Sequence, residues 1–194
     1  MKFEIEKNIN TIKLHNKSPD YLNELVHLAC HNPEWHAWFV EESAQLKQVF
    51  SHNRLVAIEH YGSTSISGIC AKPIIDILIG VHDFSLTEQE KELLQCLGYE
   101  YIGRALLYER YFLKKRGVRN FHLAIARYEG SVWHDCILLR NYLYMHQLKA
   151  LEYEQIKQQA LRDGYVTVPE YAAYKSDFVV RLVQEARAWE AEKA

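Results

Sequence analysis

HYGSTSISGICAKPIIDILIGV, residues 60–81, holds the pattern from which the fold of this 194-residue chain is inferred. Its second half, residues 72–81, is a nearly continuous apolar run, rich in isoleucine and too short for a typical helix. Such a run predicts a strand covered on both faces. Residues 62–64, Gly-Ser-Thr, form a small polar loop before it. Asp76 stands alone among apolar residues, and a carboxylate there is costly unless a partner or a metal compensates it. The stretch therefore predicts a functional site beside a buried strand.

The segments on either side predict a sheet with helices packed against it. Residues 54–62 are typical of a short strand, and residues 106–115 and 118–127 alternate like two strands joined by a hairpin. The remaining segments have apolar residues at helical spacing and are residues 18–31, 33–50, 85–99, 131–147, 148–162 and 167–194. This order favours one compact α/β domain, residues 32–194, with a C-terminal helical layer and a helical extension over residues 1–31.

Capping residues mark the predicted helix boundaries. Asn32 followed by Pro33 is typical of a helix start. Residues 85–88 and residues 167–170 each have the spacing of a capping box, with Ser or Thr first and Glu fourth. Gly98 is placed to end the helix that begins near residue 85. These signals predict where three of the helices begin and where one of them ends.

Composition and charge disfavour several classes of protein. The formal net charge of −2 gives no overall attraction to nucleic acid or to an anionic membrane, so neither is an expected partner. No apolar run approaches the roughly 20 residues of a membrane span. The ten histidines show no zinc spacing, so no structural zinc is predicted. The four cysteines are far apart in the sequence and are predicted to be reduced thiols in the cytoplasm.

The small loop and the buried acid together suit a phosphate site with a divalent cation. Glycine permits close backbone approach, and hydroxyls with turn N–H groups can hold an anion. Mg²⁺ prefers oxygen ligands and is commonly held by one or two carboxylates plus substrate phosphates. In this hypothesis Gly62, Ser63 and Thr64 bind phosphate, and Asp76 binds Mg²⁺. The alternative is that Asp76 accepts a hydrogen bond from a loop hydroxyl, or pairs with Lys72, and only pins the loop.

Two basic residues on apolar helix faces indicate the same kind of site. Arg140 lies on the apolar stripe of one predicted helix, and Lys175 lies on that of the last helix. A cation in such a place needs a partner, and phosphate is one that suits it. The open alternatives are an internal ion pair, for example of Arg140 with Asp76, and extension of the Lys175 ammonium group to solvent.

The two hairpin strands add three further candidates. Arg110 and Lys114 share one face of their strand and are candidates to face a ligand, whereas residues 115–119 are expected on an exposed hairpin. On the following strand, His122 and Phe121 lie on opposite faces. His122 is a candidate to position the acceptor of a transferred group or to remove its proton. The alternative for a lone strand histidine is a hydrogen-bonded core residue.

With its loop and aspartate, the opening stretch resembles the GrpB family, which is assigned to the nucleotidyltransferase superfamily. The likeness extends over residues 32–180. NPEWHAWFVEESAQL and ERYFLKK are similar to the family's Pro-x-Trp helix and Arg-x-Phe-x-Lys strand. HDCILLRNYLYMH and YAAYKSDFV are similar to its Phe-Arg-Asp-Tyr-Leu helix and its closing Tyr-x-x-Ala-Lys segment. The resemblance implies a nucleotidyltransferase-like mixed β-sheet with flanking helices, and it implies no particular reaction.

Two departures from the family pattern bear on catalysis. Active members of the superfamily carry an Asp-x-Asp or Asp-x-Glu pair, and Leu78 stands at the second position here. Glu59 before the loop, or Glu109 on a later strand, would have to supply the missing acid, and neither has the expected placement. The family's His-x-His pattern has Ala124 at its second position, which leaves His122 alone. The sequence therefore does not place enough acids together to bind the two metal ions of a two-metal mechanism.

Two functions are compatible with these residues. In the first, the protein binds a nucleotide or another phosphorylated small molecule with Mg²⁺ and transfers a phosphoryl or nucleotidyl group. Asp76 and His122 then act in catalysis, and Asp76 and Glu59 bind the metal. The predicted ligand-binding residues are Gly62, Ser63, Thr64, Lys72, Arg110, Lys114, Arg140 and Lys175. In the second, the protein is a non-catalytic phosphate-binding or docking module. The resemblance links this module to coenzyme A metabolism, because GrpB-like segments occur fused to a dephospho-coenzyme A kinase.

Overall fold

The structure, a computed structural model, describes residues 23–51, 53–105 and 110–193, with the backbone alone at residues 104 and 105. The first two thirds of this part contain two helices and five strands, and helices alone follow. In chain order the elements are α1 Glu34–Leu46, β1 Leu55–Tyr61, a 3-10 turn Ser63–Ser65, β2 Ile74–Val81, α2 Glu88–Cys96, β3 Glu100–Ala105, β4 Arg110–Lys115, β5 Asn120–Arg127, α3 Ser131–Met145, α4 Gln147–Arg162 and α5 Val168–Ala191.

The strands form one mixed sheet in the order β1-β2-β5-β4-β3. β2 and β5 are parallel neighbours, and the other three pairs are antiparallel. The predicted α/β class, a mixed sheet with flanking helices and a C-terminal helical layer, is confirmed. The sequence reading missed β3, in which a register shift between Tyr101 and Gly103 interrupts the alternation that identifies a strand. Glu109, considered above as a second acid, lies outside the described residues.

The two faces of β2 pack against different layers, as its alternation predicts. Ile75, Ile77 and Ile79 are fully buried in a core shared with α1 and α2. On the opposite face Leu78 is also fully buried and packs with Trp133 of α3. Because side chains alternate across a strand, the acid two residues before Leu78 shares this second face. The site is therefore on the side of the sheet that the C-terminal helices cover.

Helices α3, α4 and α5 form the C-terminal layer. Their own core contains Leu143, Tyr153 and Leu182, and it includes Ile66 from the connection between β1 and β2. This packing fixes the β1–β2 connection against the helices. None of the helices in the described ranges combines the length and the apolar character needed to cross a bilayer.

The segment before α1 differs from its prediction. Residues 24–31, the described end of the predicted helix 18–31, are not helical. Leu25 forms a β-bridge with Thr167, and Ala29 forms one with Ala71. The N–H of Val26 also donates to the carbonyl of Val166 at 2.7 Å. These long-range backbone bonds replace the local bonds of a helix, so tertiary pairing overrides the helical pattern here.

The capping predictions are partly confirmed. The side-chain oxygen of Asn32 accepts from the N–H of Glu34 at 2.9 Å at the start of α1. A capping box at residues 167–170 begins α5, and Gly98 follows α2 with φ of 89°. The predicted box at residues 85–88 is wrong, because Thr87 and Glu90 form the box that begins α2. The same residue types recur two positions further on, so the local pattern alone does not distinguish the two boxes.

Candidate functional site

Gly62 brings the loop directly against the buried acid. β1 ends at Tyr61, which lies opposite Asp76 in the antiparallel β1–β2 ladder. Gly62 then turns the chain with φ of 71° into the Ser63–Ser65 turn. A Cβ atom on Gly62 would lie 2.3 Å from Oδ2 of Asp76. Only glycine satisfies both the backbone conformation and this close approach, so the sheet holds turn and carboxylate side by side.

A cavity of about 340 Å³ opens between this turn, the sheet and the C-terminal helices. The structure brings nine of the predicted site residues together on its wall, namely Gly62, Ser63, Thr64, Lys72, Asp76, Arg110, His122, Arg140 and Lys175. The other lining residues are Tyr61, Ile66, Ile74, Cys136, Leu139, Leu143, Tyr153, Lys157, Tyr171 and Val179. We call this space the cationic cavity, because its described wall holds five lysine or arginine residues and a single acid.

A hydrogen-bonded chain orients the acid. Nδ1 of His122 lies 3.2 Å from Oδ1 of Asp76, and Nε2 of His122 lies 2.9 Å from a guanidinium nitrogen of Arg116. Because a guanidinium can only donate, Nε2 accepts from it and the ring proton resides on Nδ1, which donates to Asp76. Arg116 in turn forms two hydrogen bonds with the carboxylate of Glu24, at 3.0 and 3.1 Å. The imidazole therefore positions the carboxylate of Asp76.

Burial and neighbouring charges favour an ionised Asp76 beside a neutral His122. Burial raises the pKa of Asp76, but the hydrogen bond from His122 and the charges of Lys72 and Lys175 outweigh it and hold this pKa below its ordinary value. Burial lowers the pKa of His122, and the neighbouring carboxylate only partly opposes this. A negative charge is therefore kept at one point of an otherwise positive wall.

The loop is pinned by residues other than the acid. Thr64 donates to the carbonyl of Ile74 at 3.2 Å, and its hydroxyl lies 3.0 Å from Nε2 of His60. No hydrogen bond or ion pair joins Lys72 to Asp76 within the described ranges, and about a quarter (26%) of the Asp76 side chain is exposed. The alternative of an acid sealed against Lys72 therefore does not describe this site.

Three lysines approach the cavity without a matching set of acids. Lys157 is 1% exposed, and its ammonium group donates to the carbonyl oxygen of Cys70. The ammonium group of Lys72 lies 5.9 Å from the centre of the Tyr171 ring. Burial lowers the pKa of both Lys72 and Lys157. Lys175 donates to the hydroxyl of Tyr153 at 3.2 Å, so its ammonium group does not simply extend to solvent.

The two arginines of the wall differ in their partners. Arg140 pairs with Glu59 at 2.6 Å and donates to the carbonyl of His60 at 2.9 Å, so its internal ion pair is with Glu59 and not with Asp76. Nε of Arg110 is buried and has no hydrogen-bond partner in the part of the chain that the structure describes. A buried donor without a partner is uncommon in folded proteins. Arg110 also lines the cavity, as the sequence predicts for a residue that faces a ligand.

Two predicted residues do not line the cavity. Glu59 is engaged by Arg140. Lys114 pairs with Glu100 at 3.2 Å, which is its cross-strand neighbour on β3. Opposite charges facing each other on adjacent strands attract, and this contact takes Lys114 away from the ligand space.

The residues present do not form a protein-only magnesium site. Asp76 offers one carboxylate, its Oδ1 already accepts from His122, and Lys72 and Lys175 add positive charge nearby. Within the described ranges no three side chains of His, Cys, Asp or Glu gather around a common point. Leu78, at the position of the second acid, is sealed in an apolar cluster. Asp76 could contribute one oxygen to an ion that arrives with a phosphorylated ligand.

Tyr153 lines the cavity but is not among the site residues predicted from the sequence. Its ring is buried in the wall, with the Lys157 ammonium group 4.7 Å from the ring centre. Burial raises the pKa of Tyr153, but Lys175, Lys157 and the Ser63 hydroxyl outweigh it and lower this pKa to about 8. Two ammonium groups thus stabilise a phenolate. The phenol of Tyr153 therefore loses its proton closer to neutral pH than an ordinary tyrosine does.

Titration of the tyrosines tests this arrangement. Absorbance of tyrosinate in the wild-type protein is expected to show one step near pH 8, below the ordinary range of tyrosine. Tyr153→Phe should remove that step, and Lys175→Met should move it to higher pH. Tyr171→Phe serves as the matched control, because burial raises the pKa of Tyr171. A step near pH 8 that persists in Tyr153→Phe would show that another tyrosine is responsible.

Of the site residues that the sequence analysis did not predict, one has a recognisable local sequence pattern and another has none. Lys157 shares the stripe of Ala150, Tyr153 and Ala160 at helical spacing in α4, the same pattern that identified Arg140. Arg116 was assigned to an exposed hairpin with its neighbours. That assignment is wrong for Arg116, which pairs with Glu24 and contacts His122, and for Lys115, which pairs with the buried Glu42 at 2.9 Å. No local pattern marks this pair, because 92 positions separate Glu24 from Arg116 in the sequence.

The fold and the site define a mixed α/β protein with a cationic cavity between its sheet and a C-terminal helical layer. The chain belongs to the GrpB protein family, whose model matches residues 25–185. The predicted family resemblance is confirmed, and it begins before residue 32. The crystal structure of conserved protein GrpB from Enterococcus faecalis matches with a TM-score of 0.72 and 30% identity, covering 84% of this chain and 99% of that one.

Two curated relatives show the same similarity in sequence. The glutamate-rich protein GrpB of Alkalihalophilus pseudofirmus is 32% identical over 166 residues, which cover 81% of this chain and 94% of that protein. The UPF0157 protein YqkA of Bacillus subtilis is 31% identical over 170 residues, which cover 87% of this chain. The aligned residues span 49% of YqkA, so this chain corresponds to about half the length of that relative.

Proposed function

We propose that the cationic cavity binds a phosphorylated small molecule, such as a nucleotide. The observation that carries this proposal is the charge of its wall. In the described residues four lysine and arginine side chains face one carboxylate, and a fifth, Arg140, is paired with Glu59. Lysine and arginine are the side chains that bind phosphate. Burial of Lys72 and Lys157 is costly for isolated cations, and an incoming anion relieves that cost. This arrangement supports the predicted non-catalytic binding function.

The shape of the cavity supports a ligand with a polar and an apolar part. Its volume of about 340 Å³ is within the range of roughly 300–1,000 Å³ that is usual for small-molecule sites. Lys72, Arg110 and Lys175 line it together with the Ser63 hydroxyl. Apolar wall comes from Ile66, Leu139, Leu143 and Val179. We propose that phosphate contacts the basic side chains and that a base or acyl group contacts the apolar ones.

Direct binding measurements test the proposal. Pyrophosphate and ATP are titrated into the protein by calorimetry, each with and without Mg²⁺. Lys175→Met should weaken binding by roughly 10- to 100-fold, because a hydrogen bond to a charged group contributes about 1.5–3 kcal/mol. Lys91→Met is the matched control, because Lys91 lies on α2 and pairs with Glu88 at the surface. Absence of heat with every phosphate probe would overturn the proposal and leave the docking function.

A variant of Asp76 tests whether the ligand binds together with Mg²⁺ or without it. If Asp76 supplies one ligand to a magnesium ion held by the phosphates, Asp76→Asn should abolish the effect of Mg²⁺ on ATP affinity. If the lysines bind phosphate directly, Asp76→Asn should tighten metal-free binding, because a repelling carboxylate has been removed. The same titrations measure both results. An unchanged affinity under both conditions would place the ligand away from Asp76.

Phosphoryl or nucleotidyl transfer is the second candidate function. Its support is the ionised Asp76 with its positioning imidazole, His122, together with the family's superfamily assignment. The second acid of a two-metal site is replaced by the buried Leu78, so the proposal of binding is favoured over transfer. Product formation from ATP or UTP in the presence of Mg²⁺, followed by ³¹P NMR and lost in Asp76→Asn, would establish transfer.

A further inference from the structure

Cys30 and Cys70 face each other across a short antiparallel bridge. Ala29 and Ala71 exchange both backbone hydrogen bonds, at 2.8 and 2.9 Å. The next residues of the ladder, Cys30 and Cys70, therefore form a non-hydrogen-bonded pair, in which Cα atoms are about 4.5 Å apart. This separation lies within the range of about 4.4–6.8 Å that disulfides span. The two sulfur atoms are 3.7 Å apart, and both residues are free thiols.

We infer that Cys30 and Cys70 are a modification site at which a low-molecular-weight disulfide, such as glutathione disulfide, converts two thiols into one internal disulfide. The sequence predicts four reduced thiols that are far apart along the chain, and the fold brings two of them together. No other pair of the four is brought into sulfur contact within the described ranges. The inference does not depend on the function proposed for the cationic cavity.

The surroundings of the two thiols assign the order of the reaction. Cys30 is exposed and Cys70 is half-buried. A hydrogen bond to Glu154, burial and the neighbouring Cys30 raise the pKa of the Cys70 thiol to about 12. The thiolate is the attacking species in exchange, so Cys30 reacts first and Cys70 reacts second. Glu154 opposes loss of the Cys70 proton, so this proton passes to the glutathione thiolate that the first exchange step releases.

The reaction balances in two exchange steps. The Cys30 thiolate attacks one sulfur of glutathione disulfide, which forms a mixed disulfide and releases one glutathione thiolate. The Cys70 sulfur, after losing its proton, then attacks the Cys30 sulfur, which forms the internal bond and releases the second glutathione. Two protein thiols are oxidised and one glutathione disulfide is reduced to two glutathione molecules. No metal or further oxidant is required.

The bond would join the segment before α1 to the loop that supplies part of the cavity wall. The carbonyl oxygen of Cys70 accepts from Lys157, and Lys72 lies two positions after Cys70. The segment of Cys30 is otherwise held to that loop by the Ala29–Ala71 bridge. A covalent link here constrains the unfolded chain between two distant positions. We therefore expect the oxidised protein to have a Tm higher by on the order of 5–10 °C.

The test uses the reduced full-length protein incubated with glutathione disulfide. Intact mass should decrease by two hydrogen atoms with no glutathione retained, and peptide mapping should find Cys30 joined to Cys70 in a monomer. Cys96→Ser, which alters another exposed cysteine, should behave like the wild type. Cys70→Ser should stop at the mixed disulfide on Cys30, and Cys30→Ser should leave Cys70 unmodified. The Tm rise should disappear on reduction.

Three results would overturn the inference. The first is a wild-type protein that retains glutathione on Cys30 and never forms the internal bond. The second is a linkage that maps to Cys96 or Cys136, or that joins two chains. The third is an internal bond that lowers Tm, because this would show that the fold must distort to form it. All three are read from wild-type protein, so they do not depend on the folding of a variant.

Discussion

Gly62→Ala is expected to destabilise the protein by roughly 2–4 kcal/mol and to remove anion binding. Two physical effects add at this position. The backbone of Gly62, with φ of 71° and ψ of −173°, lies in a region that is open essentially to glycine alone. The new methyl group would also lie 2.3 Å from Oδ2 of Asp76. The turn must therefore move away from the carboxylate, which displaces Ser63 and Thr64, the residues proposed to bind phosphate.

Gly68→Ala is the matched control for this effect. Gly68 also has a positive φ, 84°, but a Cβ atom there would have no neighbour within 4 Å. It should lose stability through backbone strain alone, by about 1–2 kcal/mol. Urea unfolding of both variants gives the free energies, and calorimetry with pyrophosphate gives the binding. Equal losses of stability, with binding retained in both, would mean that the contact of Gly62 with Asp76 is unimportant.

Stability is expected to fall by on the order of 3 kcal/mol between pH 6.5 and pH 4 because of His60 alone. Burial lowers the pKa of His60 from 6.5 to about 4, and Asp76 only partly opposes this. Below pH 6.5 the unfolded chain binds a proton that folded His60 does not, so the unfolded state gains stability as the pH falls. The loss ends near pH 4, where His60 also becomes protonated in the folded protein.

Packing explains why His60 stays neutral when folded. Its ring stacks on Phe39 with centres 5.0 Å apart, and its Nε2 contacts Thr64. His36 and Arg140 add positive charge that disfavours protonation. The lowered pKa values of His122 and Asp76 act in the same direction, since both groups also bind protons more readily in the unfolded chain.

Urea unfolding at pH values from 7 to 4 measures this dependence. His60→Gln should reduce the loss of stability between pH 6.5 and pH 4 by on the order of 3 kcal/mol, because one of the groups that bind an extra proton in the unfolded state has been removed, and the contribution of His122 should remain. His82→Gln is the control, because His82 is exposed. A wild-type stability that stays constant over this interval would contradict the assignment of a neutral, buried His60.

Local patterns predicted the sheet side of this site well. The alternation of residues 74–81 assigned Asp76 and Leu78 to one face and the isoleucines to the other, and the packing agrees. The helical stripe around Arg140 likewise identified a cation that faces inward. Both features depend on side-chain direction within one element, and that direction follows from the period of a strand or a helix.

Contacts between distant segments were not predictable in the same way. Glu24 and Arg116 are 92 positions apart, and Cys70 and Lys157 are 87 positions apart. The segment of residues 24–31 has a helical pattern but pairs instead with Ala71 and Thr167. Its backbone groups find partners that are absent from its own neighbourhood in the sequence.

The residue pattern by itself therefore identified the acid, the glycine turn and two inward-facing cations, because each of these is a property of a single element. Packing of the C-terminal helices on the sheet added Lys157 and Tyr153 to the same wall and paired Glu59 with Arg140. It also brought Cys30 to Cys70. Charge balance in a cavity depends on which side chains share its low-dielectric space, and only the folded chain brings them together.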